Sequence, residues 1–189
     1  CLKGAIFSYT TNEAWQGQQA LQVDTPGQSE EEGIAVKAQV PRAVYDGQRV
    51  VPAHYNASVW LKGQGSLLLL LKEELTGIIA DPVQVNLKPD QWQRFYCFGT
   101  INLPAQEIGP DHESDWQQLL AEEVSLNTKL ILACVTADRR ATTFYTDGFQ
   151  LEQRALPFAG HGHTSSPRSW APAGLACAPE EFSVALKGL

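Results

Sequence analysis

Methionine is missing from this sequence of 189 residues, even at position 1. Because translation starts with methionine, we expect the chain to be a processed or excised piece of a longer protein. Two origins are open for the N-terminal Cys1. It is either the lipid-bearing residue of a mature bacterial lipoprotein or the arbitrary boundary of a fragment, and we favour the boundary.

Long apolar runs and clustered positive charge are also missing. The leucine run 67–71 is far shorter than the roughly 18 apolar residues of a membrane span. Lys and Arg number 14 against 21 Asp and Glu, which gives a net charge of −7. Phosphate backbones are bound by clustered Lys and Arg. We therefore expect no membrane span and no nucleic-acid partner.

Cysteines in metal-binding spacing are absent. The four cysteines are Cys1, Cys97, Cys134 and Cys177, and no two of them form a CxxC pair. Cys97 and Cys134 fall in predicted core strands, where cysteine acts as a small hydrophobic residue. Four cysteines allow three complete disulfide pairings, and the sequence does not choose among them.

Signatures of common enzymes are absent as well. The chain has no Gly-x-Ser-x-Gly, no Gly-rich phosphate loop and no His-Glu-x-x-His. The acidic runs 30–32, 73–74 and 122–123 are expected to be solvated. A glycosidase would instead need two carboxylates facing each other across a cleft. We predict that the protein is not an enzyme.

What the sequence does contain is alternation of apolar and polar residues. Within 54–62, every second residue from Tyr55 to Leu61 is apolar, which is typical of a half-buried strand. Turn residues separate most segments of this kind. Eight such strands predict an all-β fold, an antiparallel two-sheet jelly-roll sandwich. The predicted strands are 19–24, 33–40, 54–62, 66–72, 81–87, 92–102, 129–136 and 143–152.

Two segments depart from the alternation. At about 114–124, a capping box and apolar residues at helical spacing predict one short helical insertion that packs Trp116 on the sandwich. Residues 155–189 are rich in proline and glycine, as linkers are, and end in a possible strand around Phe182. We therefore divide the chain into a sandwich over 1–154 and a C-terminal extension.

Four motifs follow one another in the order found in jelly-roll carbohydrate-binding modules. They are EAWQGQQALQV at 13–23, YNASVWLKG at 55–63, WQR at 92–94 and FYTDGFQLE at 144–152. Over about residues 13–154 the chain resembles this family of non-catalytic β-sandwiches, which occur in secreted glycoside hydrolases, bacterial surface proteins and phage structural proteins. The family's opening strand is not recognisable in 1–9, so it is lost, diverged or cut away.

The resemblance implies a binding function. We expect a non-catalytic glycan-binding or adhesion module that anchors a larger particle or protein to polysaccharide or a cell-surface glycan, outside the cell or on a virion surface. The alternative is a purely structural block of a virion, as a decoration, fibre or tail component, or of a surface assembly. In that case residues 157–189 would contact neighbouring subunits.

Strand parity predicts which residues would hold a glycan. If Tyr55 and Leu61 face the core, Trp60 faces the other way, among polar neighbours. A tryptophan in that setting can stack on a sugar ring while its neighbours bind the hydroxyls. Alternatively, Trp60 packs under a loop or the inserted helix. For Trp15 two positions stay open, an exposed contact at the sheet edge and partial burial. The candidate glycan-binding residues are Trp60, His54, Asn56, Lys62, Arg94 and Tyr96.

The resemblance also implies a structural calcium site that includes Asp147. Calcium takes about 6–8 oxygen ligands, so one carboxylate is insufficient, and the family's N-terminal segment is not recognisable here. We expect no cofactor other than this possible calcium, and we favour its absence. In that case the Asp147 carboxylate would accept hydrogen bonds near the sheet edge.

Overall fold

The computed structural model describes residues 2–45, 50–101 and 127–154, and within these ranges every regular element is a β-strand. The predicted all-β fold is confirmed, and all eight predicted strands occur with small shifts of their ends. The predicted helix at 114–124 and the extension 155–189 lie outside the described residues. The strands are β1 (Ile6–Thr10), β2 (Ala20–Thr25), β3 (Gly33–Pro41), β4 (Ala43–Tyr45), β5 (Val50–Pro52), β6 (His54–Gly63), β7 (Ser66–Glu73), β8 (Gly77–Ile78), β9 (Val83–Asn86), β10 (Gln93–Thr100), β11 (Asn127–Thr136) and β12 (Thr142–Arg154).

The strands form two antiparallel sheets. The first sheet has the order β1-β2-β12-β6-β10, so the last strand lies in its middle. The second sheet has the order β3-β11-β7, with both β8 and β9 paired to the free side of β7. β4 and β5 form a separate ribbon. No helix in the described ranges is long and apolar enough to cross a membrane.

The core lies between the two sheets and is built by the alternation seen in the sequence. In β6, Tyr55 and Leu61 point inward as predicted, and in β12 Phe144 is fully buried. Cys97 and Cys134 are free thiols in the same core, which confirms their expected role as small hydrophobic residues. Burial raises the pKa of the Cys97 thiol to about 12, so it stays protonated.

The N-terminal strand is present although its family motif is not. Residues 6–10 pair with β2 over their whole length, with Ile6 opposite Asp24 and Thr10 opposite Ala20. A strand therefore forms in the segment where the family's motif is not recognisable. Because β1 lies at the edge of the sheet and is mostly exposed, few of its side chains are constrained to match a motif.

One acidic residue expected to be solvated is buried. Glu32 has no exposed surface, and its carboxylate accepts backbone N–H bonds from Gly27, Gln28 and Ser29 at 2.6, 2.7 and 2.7 Å. Three successive N–H groups that point at one carboxylate offset the cost of removing it from water. The expectation for Glu32 was wrong because composition does not reveal how a turn points its N–H groups.

A second such residue, Glu73, lies at the end of β7. It is 1% exposed, accepts N–H and O–H bonds from Thr76 at 2.7 and 2.5 Å, and also accepts the hydroxyl of Thr128. Arg42 lies 3.7 Å away and is itself buried. This carboxylate therefore ties together the end of β3, the turn after β7 and the start of β11. The expectation of a solvated Glu73 was also wrong.

Acid should destabilise the fold through these two carboxylates. Burial raises the pKa of each, but the hydrogen bonds outweigh burial and hold both pKa values below the ordinary range. A lowered pKa stabilises the fold above the unfolded-state pKa, and this contribution is lost as pH falls through the folded-state pKa. We predict that Glu73→Gln lowers Tm at pH 7 and reduces the fall in Tm between about pH 6 and pH 3.

The control for this experiment is Glu74→Gln, because Glu74 is exposed and pairs only with exposed Lys129 among the contacts described. Its Tm should follow the wild-type pH curve in thermal melts monitored by circular dichroism. The same pH slope for Glu73→Gln as for wild type would contradict a stabilising ionised Glu73.

Candidate functional site

The outward side of the first sheet carries the residues that the sequence predicted as a site. Here β6 lies between β12 and β10, and the registers place their side chains in rows. We call this surface the outer face. Its rows are Arg94, Trp60 and Asp147; then Tyr96, Ser58 and Gln150; then Phe98, Asn56 and Glu152.

Trp60 is covered by a second tryptophan. The loop 11–19 between β1 and β2 folds over the outer face and places the Trp15 ring on Trp60, with centroids 3.7 Å apart and planes at 18°. Trp15 itself is 39% exposed. Of the two positions considered for Trp60, the structure shows packing under a loop. The Trp15–Trp60 stack was missed because the sequence does not reveal which loop crosses the sheet.

Asp147 attaches the same loop to the sheet. Its Oδ2 accepts the backbone N–H groups of Trp15 and Gln16, both at 3.2 Å, and its Oδ1 accepts that of Gly148 at 2.6 Å. The expected hydrogen bonding is present, but β12 is a central strand, so the expected edge position was wrong. Burial raises the pKa of Asp147, and the three hydrogen bonds offset only part of that shift.

A β-bulge follows Asp147 in β12. The register of β12 against β6 shifts between Asp147 and Gln150, and Gly148 has a positive φ of 55°. Asp147 points outward by ordinary strand alternation, and the extra residue returns Phe149 to the core while Gln150 faces outward. The Lys62 side chain makes a further attachment, because it forms an ion pair with Glu13 of the loop at 2.5 Å.

The surroundings of Asp147 do not fit a calcium ion. Calcium requires oxygen ligands, whereas the groups that face this carboxylate are N–H donors, which would repel a cation. Nowhere in the described ranges do three or more His, Cys, Asp or Glu side chains come close enough to hold a metal. The loop is attached here by hydrogen bonds to the protein itself.

A line of hydrogen bonds crosses the outer face below the stacked tryptophans. Arg94 donates to the Ser58 hydroxyl at 3.1 Å and to Gln150 Oε1 at 2.7 Å. The amide of Gln150 donates in turn to Glu152 Oε1 at 2.7 Å. These polar groups hold one another in fixed orientations. Their side chains would therefore lose little conformational entropy when a ligand binds.

Two of the predicted site residues lie at the far end of the face. His54 Nδ1 lies 2.7 Å from the Thr100 hydroxyl. Asn56 is only 2% exposed, and its Nδ2 has no hydrogen-bond partner within the described part of the chain. The structure thus brings all six predicted residues onto one face, but Asn56 lies beneath its surface and Lys62 is occupied by Glu13.

The most exposed side chains of the face are aromatic. Tyr96 is 41% exposed and Phe98 is 56% exposed, and both lie on β10, which forms one edge of the first sheet as described. The sequence analysis proposed Tyr96 but not Phe98. The signal was available, because Phe98 has the same strand parity as Arg94 and Tyr96. Together they form an apolar patch at the edge of the sheet, a kind of surface at which proteins often contact a ligand or partner.

A groove of about 970 Å³ runs along this edge. One wall is β10 from Arg94 to Thr100, and the other is the segment 78–83. Residues 80–82 bulge away from β7, because the Ile79 N–H still donates to the Leu71 carbonyl at 3.0 Å while Val83 already pairs with Leu69. The bulge leans towards β10, where the Ile79 carbonyl comes 2.6 Å from the position of a Cβ on Gly99.

Known structures show the same fold at low sequence identity. No family model and no curated protein match the chain. The CBM22-1 xylan-binding domain of Xyn10C from Paenibacillus barcinonensis is 15% identical, with a TM-score of 0.44 over 79% of this chain and 81% of its own. A CBM4 structure is 14% identical, with a TM-score of 0.44 over 80% of this chain and 95% of its own.

A third similar structure is the Stig cyclase FisC from Fischerella sp. TAU, solved with an indole derivative. It is 10% identical, with a TM-score of 0.50 over 81% of this chain and 76% of its own. Identities this low show a shared fold and nothing further. The described residues form the predicted β-sandwich, and carbohydrate-binding modules are among the structures to which the chain is similar.

The close approach at Gly99 yields a prediction about the groove. In Gly99→Ala the new methyl would meet the backbone carbonyl of Ile79, so one wall must shift. We expect a loss of about 1–3 kcal/mol in the free energy of unfolding, measured by urea denaturation. Leu75→Ala, at a site that is 65% exposed, should change it by less than about 0.5 kcal/mol. Equal stability of Gly99→Ala and wild type would contradict the described contact.

Proposed function

We propose that the protein is a non-catalytic module that binds a glycan on the outer face and along the β10 groove. The observation that carries the proposal is the pair of exposed aromatic rings on one strand, Tyr96 and Phe98, beside the hydrogen-bonded line of Arg94, Gln150 and Glu152. Apolar ring faces next to fixed polar groups match the two kinds of surface that every sugar presents.

The physical basis is the two-sided character of a sugar ring. Its C–H groups can lie against an aromatic face, while its hydroxyls both donate and accept hydrogen bonds. Arg94 offers donors and Glu152 offers acceptors, so a hydroxyl can be satisfied in either role. Tyr96 and Phe98 are two residues apart, hence about 7 Å along the strand, so one extended ligand can contact both.

Binding is favoured over catalysis by the placement of the carboxylates. Among the described residues that line the groove, Asp81 is the acidic one, whereas glycoside hydrolysis uses a pair. Glu32, Glu73 and Asp147 are buried, and each accepts several hydrogen bonds from the protein. A polysaccharide ligand also implies an extracellular location. There the module would anchor a larger protein or particle to the polysaccharide.

The structural-block alternative stays a prediction. Its expected subunit contacts involve residues 157–189, which lie outside the described ranges. The two functions predict different effects of removing residues 157–189 on the oligomeric state and on glycan binding. A stable oligomer that becomes monomeric without residues 157–189, seen by size exclusion with light scattering, would favour the virion or surface-assembly role. Glycan binding that survives this truncation would favour the module.

Affinity electrophoresis tests the proposal directly. Wild-type protein should migrate more slowly in native gels that contain soluble xylan or mixed-linkage β-glucan. Tyr96→Ala and Phe98→Ala should each weaken retention about tenfold or more, because each removes an apolar surface that the ligand covers. Ile6→Ala is the matched control, since Ile6 is 69% exposed on the opposite edge strand, β1.

Two outcomes would contradict the proposal. One is a wild-type protein that neither polysaccharide slows. The other is retention that Tyr96→Ala and Phe98→Ala leave intact while their folds, checked by circular dichroism, are also unchanged.

A further inference from the structure

Trp15 occupies the position on the outer face that parity had assigned to Trp60. One side of its ring lies 3.7 Å from Trp60 and nearly parallel to it, yet 39% of the residue is exposed. Since Trp60 covers one side of the ring, we infer that the exposed part of Trp15 includes the other side. Trp60, by contrast, has its outward side against Trp15. The surface that a ligand meets at this end of the face is therefore Trp15.

We propose that Trp15 is the aromatic platform for a ligand at this end of the outer face, that Trp60 is its support, and that Asp147 is the residue that positions it. This inference rests on the proposed glycan-binding function and deepens it. It assigns a ligand contact to the loop 11–19 and a supporting role to the tryptophan that strand parity had indicated.

Asp147 can position the ring because it fixes the backbone that carries it. A single oxygen, Oδ2, accepts the N–H groups of two adjacent residues, Trp15 and Gln16, and so sets the orientation of their peptide units. The other oxygen accepts Gly148 N–H at 2.6 Å. A carboxylate can accept on both sides, whereas the amide of an asparagine would place a donor against a donor on one of them.

The positions of the aromatic residues indicate the size of the ligand. Trp60 lies opposite Arg94, and Phe98 lies four residues further along β10. At about 3.3 Å per residue, that is roughly 13 Å along the strand. A ligand that touches both Trp15 and Phe98 therefore covers more than one sugar ring. The ligand class is an oligosaccharide or polysaccharide chain that lies along β10, and a single sugar would reach only part of the site.

The first experiment tests the position of Trp15 without any ligand. Two indoles stacked at 3.7 Å couple electronically, so the near-ultraviolet circular dichroism of the wild type should contain a signal from this pair. Trp15→Ala should remove it. Asp147→Asn should reduce it, because the loop is no longer held. Asp24→Asn, which changes an acidic residue elsewhere on the same sheet, should leave it intact.

The second experiment measures binding by calorimetry with xylohexaose and xylose, and with cellohexaose and glucose. For the hexasaccharide that the wild type binds, Trp15→Ala should lose about tenfold or more in affinity. Its preference for hexasaccharide over monosaccharide should narrow. Trp60 does not replace the lost ring, because it lies 3.7 Å further from the ligand. Trp15→Phe should recover part of the affinity, and Asp147→Asn should show a smaller loss than Trp15→Ala.

The outcomes separate this inference from the function on which it rests. A wild type that binds no saccharide contradicts the proposed function and this inference with it. A wild type whose binding depends on Tyr96 and Phe98, but is unchanged in Trp15→Ala, contradicts only the role of Trp15. Loss of binding in Asp147→Asn with an unchanged Trp–Trp signal contradicts the positioning role of Asp147.

Discussion

Two hydrogen bonds from the backbone of Trp15 and Gln16 to the Asp147 carboxylate decide what the outer face of the first sheet presents to solvent. They are possible because strand alternation places Asp147 on the outer face opposite Trp60, and a single-residue bulge with Gly148 in the left-handed region follows it in β12. A carboxylate that is 4% exposed is tolerated because N–H groups replace its water. Without them the loop 11–19 would be held to the outer face, among the contacts described, by the Lys62–Glu13 ion pair and the Trp15–Trp60 stack.

The same device recurs in two other places. Glu32 holds the turn 27–29 through three backbone N–H groups, and Glu73 holds the turn after β7 and the start of β11. In each case a buried carboxylate accepts donors from a loop and so fastens it to the sandwich. In the described part of the molecule, loops are thus anchored by carboxylates where a metal ion could serve the same purpose. Because the pKa values of Glu32 and Glu73 are lowered, acid should weaken the attachment of the two loops that they hold.

Much of the fold could be predicted from the sequence, because alternation in a half-buried strand reports which side faces the core. That logic correctly placed Tyr55 and Leu61 inward and put Trp60, Arg94 and Tyr96 on a common outer face. It also supported a two-sheet sandwich, since turn residues separate the predicted strands. Strand parity alone could also have identified Phe98 as a candidate site residue.

What could not be predicted depends on contacts between residues far apart in the chain. Nothing near Trp15 indicates that it will lie on Trp60, because the loop is irregular and its attachment point, Asp147, comes from the last strand. Likewise, the acidic runs look solvated until the turn that surrounds Glu32 is known. The edge strand β1 has few buried side chains to constrain its sequence, so no motif indicated its presence.

The central claim is that a saccharide chain lies along β10 and reaches the Trp15 ring. Chemical-shift mapping of the ¹⁵N-labelled protein during titration with xylohexaose or cellohexaose tests it most directly. The account predicts the largest changes at the backbone amides of Tyr96 and Phe98 and at the indole N–H of Trp15. Changes concentrated instead on the outward side of the second sheet, around Lys37, Ile131 and Lys72, would contradict it, and so would a spectrum that neither sugar alters.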